Sequence, residues 1–369
     1  MAKLGDVFPL VRNGASIRQT DGATGIPITR IETISNREID RNKFGYANII
    51  DGSKYKNYIL QDGDILMSHI NSEKHLGKVA LYRKQGNEQI IHGMNLLMLR
   101  ANPSVLFPPY ATYFFETPAF LMQIQKITKK SVNQASFTVT ALKEIEIPLP
   151  PLDEQCRIAA VLDKVSDLIA KRREQLDKLD ELVKARFVEM FGDPVSNTKG
   201  LQTLPLGKVC NLKAGVTTSS DEIHSQSEEY SVPCYGGNGI RGYVKEATQR
   251  GTYPIIGRQG ALCGNVQLAI GEFHATEHAV LVSPIIKTNV IWVYYLLKFM
   301  DLYRYHTGAA QPGLAVKTLN MVEIPCADIG LQNEFATFAE QVEKSKLTIQ
   351  QSLDKLEVLK KALMQQYFG

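Results

Sequence analysis

The chain has 369 residues, with 42 Lys and Arg against 38 Asp and Glu, and five Cys. This length favours two domains over one. No apolar run reaches the roughly 18 residues of a membrane span, no signal segment opens the chain, and the cysteines form no CxxC pair. These features argue against membrane insertion and a disulfide framework, and they indicate a reduced, cytoplasmic protein without a membrane partner.

Residues 1–133 carry short apolar runs, GDILMSH, GKVALY and NLLMLR, separated by turn residues. Such runs predict strands in a mixed α+β module. Arg and Asn side chains in turns are suited to bidentate contacts with base edges in the major groove. The candidate DNA-contacting residues of this first module are Arg30, Arg37, His69, Asn71 and Lys74.

Phe107-Pro108-Pro109-Tyr110 resembles the Asn/Asp-Pro-Pro-Tyr box of amino-group DNA methyltransferases. In that box a polar side chain holds the amine of a flipped base, whereas Phe107 has no acceptor. The chain also lacks a glycine-rich strand-to-helix loop for a nucleoside cofactor. We therefore interpret Pro109 as the first residue of a short amphipathic helix, and we expect no catalytic, cofactor-binding or metal-binding residue in this chain.

Residues 134–192 change to a helical pattern after PLPPLDEQ. Asp153 is a plausible N-cap, and Gly192-Asp193-Pro194 ends the segment. Apolar residues recur at spacings of three and four, which is typical of a coiled-coil seam, over about 38 residues or roughly 57 Å. The candidate seam or partner-facing residues are Ile158, Val161, Val165, Leu176 and Leu179.

Residues 193–310 form a second module with the strand-like runs TYPIIG, GNVQLAI and AVLVSP. Its candidate DNA-contacting residues are Tyr235, Asn238, Arg241, Arg258 and Gln259. The string His274-Ala-Thr-Glu277-His278 fits the HxxEH pattern of some zinc peptidases. That chemistry needs a helix, whereas the sequence predicts a strand with the two histidines roughly 13 Å apart. A structural or DNA-facing histidine is the better interpretation.

Residues 311–369 repeat residues 134–192 without a gap at a constant offset of 177, with EIP, LDKL and a final Phe-Gly in both copies. The second set of candidate seam residues is Phe335, Phe338, Val342, Leu353 and Leu356. The preceding modules correspond more loosely, near an offset of 182. This is the signature of an internal duplication.

The sequence therefore predicts an α+β fold with four segments, 1–133, 134–192, 193–310 and 311–369. Two globular recognition modules of mixed α and β structure are separated by two long antiparallel helices that form a coiled coil with a pseudo-twofold repeat. We expect the modules at opposite ends of a rod that acts as a ruler. The alternative is a helix pair that only dimerises the protein.

Several segments resemble the specificity subunit of type I restriction–modification systems. They are IPLPPLDEQ at 147–155, its echo IPCADIGLQ at 324–332, LGDV and LGKV at the module starts, GDILMS with GKVA, and YPIIGRQG with GNV. The resemblance covers essentially the whole chain, in order, twice. The second echo lacks PPLDEQ, so the start of its helix is less firmly predicted.

This resemblance implies that each module is a target recognition domain for one half of an interrupted, asymmetric DNA site. It also implies that the helices set the gap and dock two methyltransferase subunits carrying S-adenosylmethionine. Two restriction subunits using ATP and Mg²⁺ join where restriction occurs, and this chain itself binds no cofactor. The alternatives are a coiled-coil scaffold that binds only protein, and a free-standing DNA methyltransferase.

Charge differs between the modules: residues 1–133 hold 17 Lys and Arg against 11 Asp and Glu, and residues 193–310 hold 10 against 9. Because cationic side chains supply the phosphate affinity of DNA-binding proteins, we predict that the first module contributes more of it. Neutralising its basic residues is expected to weaken DNA binding more than the same change in the second module. Equal losses in a salt-dependent binding assay would contradict this.

Overall fold

The structure, a computed structural model, describes residues 1–35, 38–131, 134–308 and 312–369. It divides into two compact units: unit one contains Met1–Lys171 and Leu353–Gly369, and unit two contains Arg172–Ser352. Each unit thus combines one globular module with parts of both helical segments. The four-segment division made from the sequence stays a prediction.

Unit one contains short strands and helices that surround one antiparallel sheet. Its strands are β1 (Ala2–Lys3), β2 (Leu10–Asn13), β3 (Ile34–Ser35), β4 (Glu38–Ile39), β5 (Ile65–Ser68), β6 (Ile70–Asn71), β7 (Val79–Leu81), β8 (Leu96–Arg100), β9 (Lys129–Lys130), β10 (Ala135–Ser136) and β11 (Glu146–Ile147). Its helices are α1 (Leu4–Val7), α2 (Pro108–Phe114), α3 (Pro118–Ile127), α4 (Val139–Lys143) and the start of α5 (Leu152–Phe191), with 3-10 turns at Ile31–Thr33, Arg41–Lys43, Ser53–Tyr58 and Glu73–His75.

The main sheet of unit one has the strand order β2-β8-β5-β7, and all its pairs are antiparallel. Alternate residues of a strand point to opposite faces. Ile65 and Met67 accordingly join the helix-covered core, while Leu66 packs with Leu60 and Ile39 on the other face. Both faces are covered, which explains why these strands are continuously apolar. Smaller ladders join β1 to β11, β3 to β4, and β10 to β6 and β9.

Unit two repeats this plan with longer strands. Its strands are β12 (Thr203–Pro205), β13 (Cys210–Ala214), β14 (Val232–Gly236), β15 (Gly239–Val244), β16 (Gln249–Gly257), β17 (Val266–Ala275), β18 (Ala279–Pro284) and β19 (Glu323–Pro325). Its helices are α6 (Leu206–Val209), α7 (Val290–Phe299), α8 (Val316–Asn320) and the start of α9 (Ile329–Phe368), with 3-10 turns at Ser220–Glu222 and Leu302–Tyr305.

The duplication is visible in the strand order. The sheet of unit two runs β13-β18-β16-β17-β14-β15, and its first four strands correspond to β2-β8-β5-β7. Register agrees as well, since Ile65 pairs with Leu99 and Ile255 pairs with Leu281, 182 residues after Leu99. The β14–β15 hairpin extends the sheet of unit two beyond the shared order. Every apolar run singled out in the sequence contains a strand.

The two long helices have identical lengths of 40 residues, and their first and last residues keep the 177-residue offset. Helix α5 begins at Leu152, so the N-cap assignment of Asp153 was wrong. Asp153 lies in the first turn, where its charge faces the positive end of the helix dipole. The carbonyl of Pro151 accepts the N–H of Gln155 at 3.0 Å and starts the helix instead.

Within each unit, segments of α5 and α9 run antiparallel. In unit two Arg186 pairs with Glu334 and Asp180 pairs with Lys346, both at 2.8 Å, so numbering falls on α5 as it rises on α9. In unit one, Phe368 shares a core with Ile158 and other residues at the start of α5. Of the predicted seam residues, the structure buries Ile158, Val165, Phe335, Val342 and Leu353, and half-buries Val161, Leu176, Leu179, Phe338 and Leu356.

Three leucines that fit the apolar spacing of the long helices lie outside the seam. Leu168, Leu182 and Leu359 are 44%, 46% and 45% exposed. Leu168 and Leu182 each precede a buried residue, Ile169 and Val183. Adjacent helix positions differ by about 100° of rotation, so only one of such a pair faces the seam.

The Pro-Pro-Tyr run has a structural role. Helix α2 begins at Pro108 rather than Pro109, and Pro109–Phe114 are all buried, so the predicted amphipathic character was wrong. Tyr110 donates its hydroxyl to the Pro148 carbonyl at 3.0 Å, and its ring lies 5.0 Å from that of Phe368. The corresponding residue of α7 is Trp292, whose ring lies 5.9 Å from that of Phe191. The last residue of each long helix thus packs on this short helix.

A buried glutamine at the start of each long helix binds the segment before the short helix. Gln155 accepts the Phe107 N–H at 2.9 Å and donates to the carbonyls of Val105 and Pro150. Gln332, at the equivalent position, accepts the Asn289 N–H at 2.8 Å and donates to Ala327. Two of these hydrogen bonds are equivalent in the two copies, the one from the backbone N–H before the short helix and the one to the carbonyl five residues earlier. Gln155 donates in addition to Val105, and Gln332 accepts in addition from the Thr288 hydroxyl at 2.7 Å.

We predict that Gln155→Met and Gln332→Met each lower the free energy of unfolding by about 2–4 kcal/mol, because each leaves several buried backbone groups without a partner. Urea denaturation measures the loss. The control is Gln366→Met, an exposed position on α9, where a change within about 0.5 kcal/mol is expected. A similar small effect at Gln155 would contradict a structural role for its amide.

Candidate nucleic-acid interface

Four loops converge at one end of the sheet of unit two. They are residues 216–218 after β13, 236–239 between β14 and β15, 257–265 after β16, and 276–278 between β17 and β18; we call them loop cluster two. Main-chain hydrogen bonds join them: Val216 N–H to Ala275 O at 2.9 Å, Thr276 N–H to Tyr235 O at 2.9 Å, and Arg258 N–H to His278 O at 3.1 Å. The polar side chains of these loops are therefore held close together by backbone contacts.

Glycines allow these loops to approach one another. A Cβ at Gly257 would lie 2.0 Å from the Gly237 carbonyl oxygen, and one at Gly215, which precedes the cluster, would lie 2.2 Å from that of Ala275. Only glycine fits where two backbones come this close. The glycines beside Asn238 and Arg258 thus have a packing reason that is independent of any ligand.

The predicted contact residues of the second module fall in or beside loop cluster two. Asn238 and Gln259 are exposed, and Asn238 accepts a hydrogen bond from Asn265. Arg258 is half-buried, and its buried Nε has no hydrogen-bond partner among the described residues. Arg241 is exposed on β15. Tyr235 is half-buried in β14, packs 5.5 Å from the Phe273 ring, and has a pKa raised by burial.

The HxxEH string is a strand end followed by a turn. His274 lies in β17, but Thr276–His278 form the turn before β18, so the continuous strand predicted here was wrong. His274 Nε2 lies 2.7 Å from Thr218 Oγ1, and burial lowers the pKa of the imidazole. Glu277 accepts the Thr218 N–H at 3.2 Å, and its other oxygen lies 3.2 Å from His278 Nε2. In the part of the chain that the structure describes, no three His, Cys, Asp or Glu side chains are placed to hold a metal.

Unit one has an equivalent arrangement, loop cluster one, formed by residues 14–19, 28–30, 45 and 92–95. Ala15 donates its N–H to His92 O at 2.8 Å, Thr29 donates to Ile91 O at 3.0 Å, and Gly45 exchanges hydrogen bonds with Ile28. A Cβ at Gly14 would lie 1.9 Å from the Gly93 carbonyl oxygen. In both units, loops at one end of the sheet are therefore joined by main-chain hydrogen bonds and by the close approach of a glycine to a carbonyl group.

The predicted residues of the first module are spread over two places. Arg30 lies in loop cluster one, where its Nε donates to Gln19 Oε1 at 2.5 Å. Asn71, in β6, donates to Ser68 Oγ and accepts the Ser72 N–H, and Lys74 is exposed in the following turn. Arg37 lies outside the described residues.

The structure argues against His69 as a DNA-contacting residue. Its side chain is 6% exposed, its ring packs 6.3 Å from that of Phe137, and burial lowers its pKa to about 4. A neutral, buried imidazole of this kind is part of the core and is not available to a base. The polar residue type at a turn suggested exposure, but the Phe137 ring packs against this imidazole, and the Phe137 N–H donates to the His69 carbonyl at 3.2 Å.

Thr218 and Gln19 were not selected from the sequence, and Glu277 was considered there only as part of the HxxEH pattern. Each is placed by a long-range hydrogen bond within its loop cluster, which no local pattern reveals. The two clusters differ in chemistry, since unit one presents Arg30 with Gln19 and unit two presents Asn238, Arg258 and Gln259 beside the Glu277 carboxylate. Side chains of these types can donate to and accept from base edges in the major groove.

A family model described as the type I restriction modification DNA specificity domain matches residues 1–180 and 198–360 of this chain. A putative type I restriction enzyme MjaX specificity subunit from Methanocaldococcus jannaschii is 40% identical over 207 residues, which cover 56% of this chain and 48% of that protein. The EcoprrI specificity subunit from Escherichia coli is 37% identical over 211 residues, covering 53% and 52%. The matched region thus spans about half the length of these curated relatives.

Among solved structures, the S subunit of a type I restriction–modification system from M. genitalium matches with a TM-score of 0.66 at 17% identity, covering 100% of this chain and 95% of that one. A chain from a study of complex assembly in a type I system matches with a TM-score of 0.53 at 18% identity, covering 100% and 96%. At these identities the matches establish a shared fold. Within the described residues, no helix is both long and apolar enough to span a membrane.

We predict that Gly257→Ala destabilises unit two by about 1–3 kcal/mol, because its methyl group overlaps the Gly237 carbonyl and the loops must move apart. Gly313→Ala is the matched control, since its nearest neighbour would be 3.6 Å away, an ordinary contact. Thermal or urea unfolding compares the two variants. Equal stability would contradict the close approach of the two loops.

The stability of unit one is expected to depend on pH through a buried histidine. His92 is fully buried, and burial lowers its pKa to about 4. The unfolded chain, with a pKa near 6.5, then binds the proton first, so stability present above about pH 6.5 is lost as pH falls toward about 4. Between pH 7.5 and 5, we expect the free energy of unfolding from urea titrations to fall by about 2 kcal/mol less in His92→Leu than in the wild type. An unchanged pH slope would contradict a neutral buried His92.

Proposed function

The chain belongs to the type I restriction modification DNA specificity family, and from this membership we propose that it is a non-catalytic DNA-recognition subunit. In this proposal each module binds one half of an interrupted target in double-stranded DNA. The chain supplies sequence selection to a modification complex and performs no chemistry itself. The relatives it matches are named specificity subunits of type I restriction enzymes.

The observation that carries the proposal is one scaffold used twice with different loop chemistry. Strand order and glycine contacts repeat between the units, whereas the polar side chains of the loop clusters do not. A conserved framework with divergent loops is suited to binding two short, different sequences. The target is therefore expected to be asymmetric, with Arg30 serving one half-site and Arg258, Gln259 and Asn238 the other.

The long helices suit the roles of spacer and docking surface. Each has 40 residues, about 60 Å at 1.5 Å per residue, and we propose that their pairing fixes the number of unread base pairs between half-sites. Their solvent-facing side includes apolar side chains, among them Leu168, Leu182, Leu347 and Val358. Exposed apolar residues of this kind favour binding to another protein.

We propose two methyltransferase subunits as the partners, with S-adenosylmethionine and the base-modifying site in those subunits. Restriction subunits that use ATP and Mg²⁺ would join the same complex where cleavage accompanies modification. The Phe107–Tyr110 run supports this division of roles, because Pro109 and Tyr110 are buried and Phe107 packs against the core of unit one. A scaffold that binds protein alone is the competing function, favoured by the exposed leucines of the helices.

The test is single-molecule methylation mapping of DNA from cells that carry this gene with a cognate methyltransferase gene, compared with cells lacking only this gene. We expect a gene-dependent motif of two short, different halves around a fixed gap. An uninterrupted motif would favour a free-standing methylase. A chain that binds the methyltransferase but yields no motif would favour the scaffold.

A further inference from the structure

We propose that Glu277 is a base-specificity residue of unit two, whose carboxylate accepts a hydrogen bond from the exocyclic amino group of a cytosine or an adenine. The inference rests on the proposed function, because it requires unit two to bind a half-site in the major groove. It gives Glu277 a role beyond its hydrogen bond to the Thr218 N–H.

The carboxylate is held in place and remains open to a further donor. One oxygen accepts the Thr218 N–H at 3.2 Å and the other lies 3.2 Å from His278 Nε2, while the side chain keeps 32% exposure. An ionised carboxylate has about four acceptor positions, so these two contacts leave capacity for a base. The His278 carbonyl also binds the Arg258 N–H at 3.1 Å, which places Glu277 in the turn beside Arg258.

The charge of Glu277 is not offset by a strong cation. Among the ion pairs formed by described residues, Glu277 contacts only His278, and no lysine or arginine is paired with it. A negative charge at a surface that binds DNA opposes the attraction of the phosphates. A hydrogen bond from a donor on the nucleic acid to the carboxylate offsets this repulsion. In the major groove the only donors are the amino groups of the bases.

The pattern of base edges determines what this carboxylate selects. Guanine presents the acceptors N7 and O6, and thymine presents O4 and a methyl group, whereas cytosine N4 and adenine N6 are donors. An acceptor-only side chain repels guanine and thymine at the edge it faces. The equivalent residue in unit one is Asn95, whose amide both donates and accepts. The two units therefore differ in discrimination at corresponding turns.

A role of Glu277 confined to capping the Thr218 N–H can be distinguished from base recognition. Glu277→Gln keeps the size of the side chain and an oxygen that accepts the Thr218 N–H, so a capping role survives the substitution. It removes the charge and adds a donor, so the exclusion of guanine and thymine does not survive. Glu222→Gln is the matched control, because Glu222 is an exposed carboxylate that caps the nearby Ser219 N–H at 2.9 Å.

The experiment uses the full chain assembled with its methyltransferase subunits. Methylation motifs are mapped for the wild type, Glu277→Gln and Glu222→Gln. We expect Glu277→Gln to accept additional bases at one position of one half-site, with the other half-site and the gap unchanged, and Glu222→Gln to keep the wild-type motif. An unaltered motif in Glu277→Gln would overturn the inference while leaving the proposed function intact. Absence of an interrupted motif in the wild type would instead overturn the proposed function.

Competition binding with modified duplexes identifies the contacted group. At the affected position, 2-pyrimidinone in place of cytosine, or purine in place of adenine, removes only the amino group. The replacement that weakens binding identifies the base that is contacted. We expect wild-type binding to weaken roughly five- to hundredfold, the range of one good side chain–base contact. Wild-type binding that is insensitive to both replacements would overturn the inference. So would loss of binding by Glu277→Gln to every duplex, since that indicates a structural role.

Discussion

In each unit, a phenylalanine from the long helix of the other copy of the repeat packs into the core. Phe368, at the end of α9, packs on Tyr110 in unit one, and Phe191, at the end of α5, packs on Trp292 in unit two. The start of each long helix is fixed in its own unit by Gln155 or Gln332. Since both ends of both helices are anchored, helix length and register are constrained together.

The positions of the loops in both clusters depend more on the main chain than on the side chains. Main-chain hydrogen bonds and glycine contacts position the loops, as at Gly257 against Gly237 and Gly14 against Gly93. Side chains on such a frame can change without loss of packing, whereas the glycines cannot. This separation accounts for two units with the same strand order and different polar groups. In the proposed function, few residues would then carry the recognition of bases, among them Arg258 and Glu277, which lie in joined loops of one cluster.

Periodic and repeated features were predictable from the sequence. The 177-residue offset and the apolar spacing gave two helices of about 38 residues where the structure has 40, and the six apolar runs all contain strands. The errors have local physical reasons. His69 packs against the Phe137 ring, and six of the seven residues of α2 are buried. Thr276–His278 form a turn whose backbone is bonded to Tyr235 and Arg258. The contacts of Glu277 and Gln155 were not identifiable, since their partners lie about fifty residues away in sequence.

The division of the units along the chain bears on the order in which they can be completed during synthesis. Unit two is continuous, Arg172–Ser352, whereas unit one needs Leu353–Gly369 in addition to Met1–Lys171. The module that emerges first from the ribosome therefore acquires its final core segment after unit two has been fully translated. Until then Ile158, Leu162 and Tyr110 lack their Phe368 neighbour and present apolar surface, which favours aggregation or chaperone binding. The nascent chain is thus expected to complete its second half before its first.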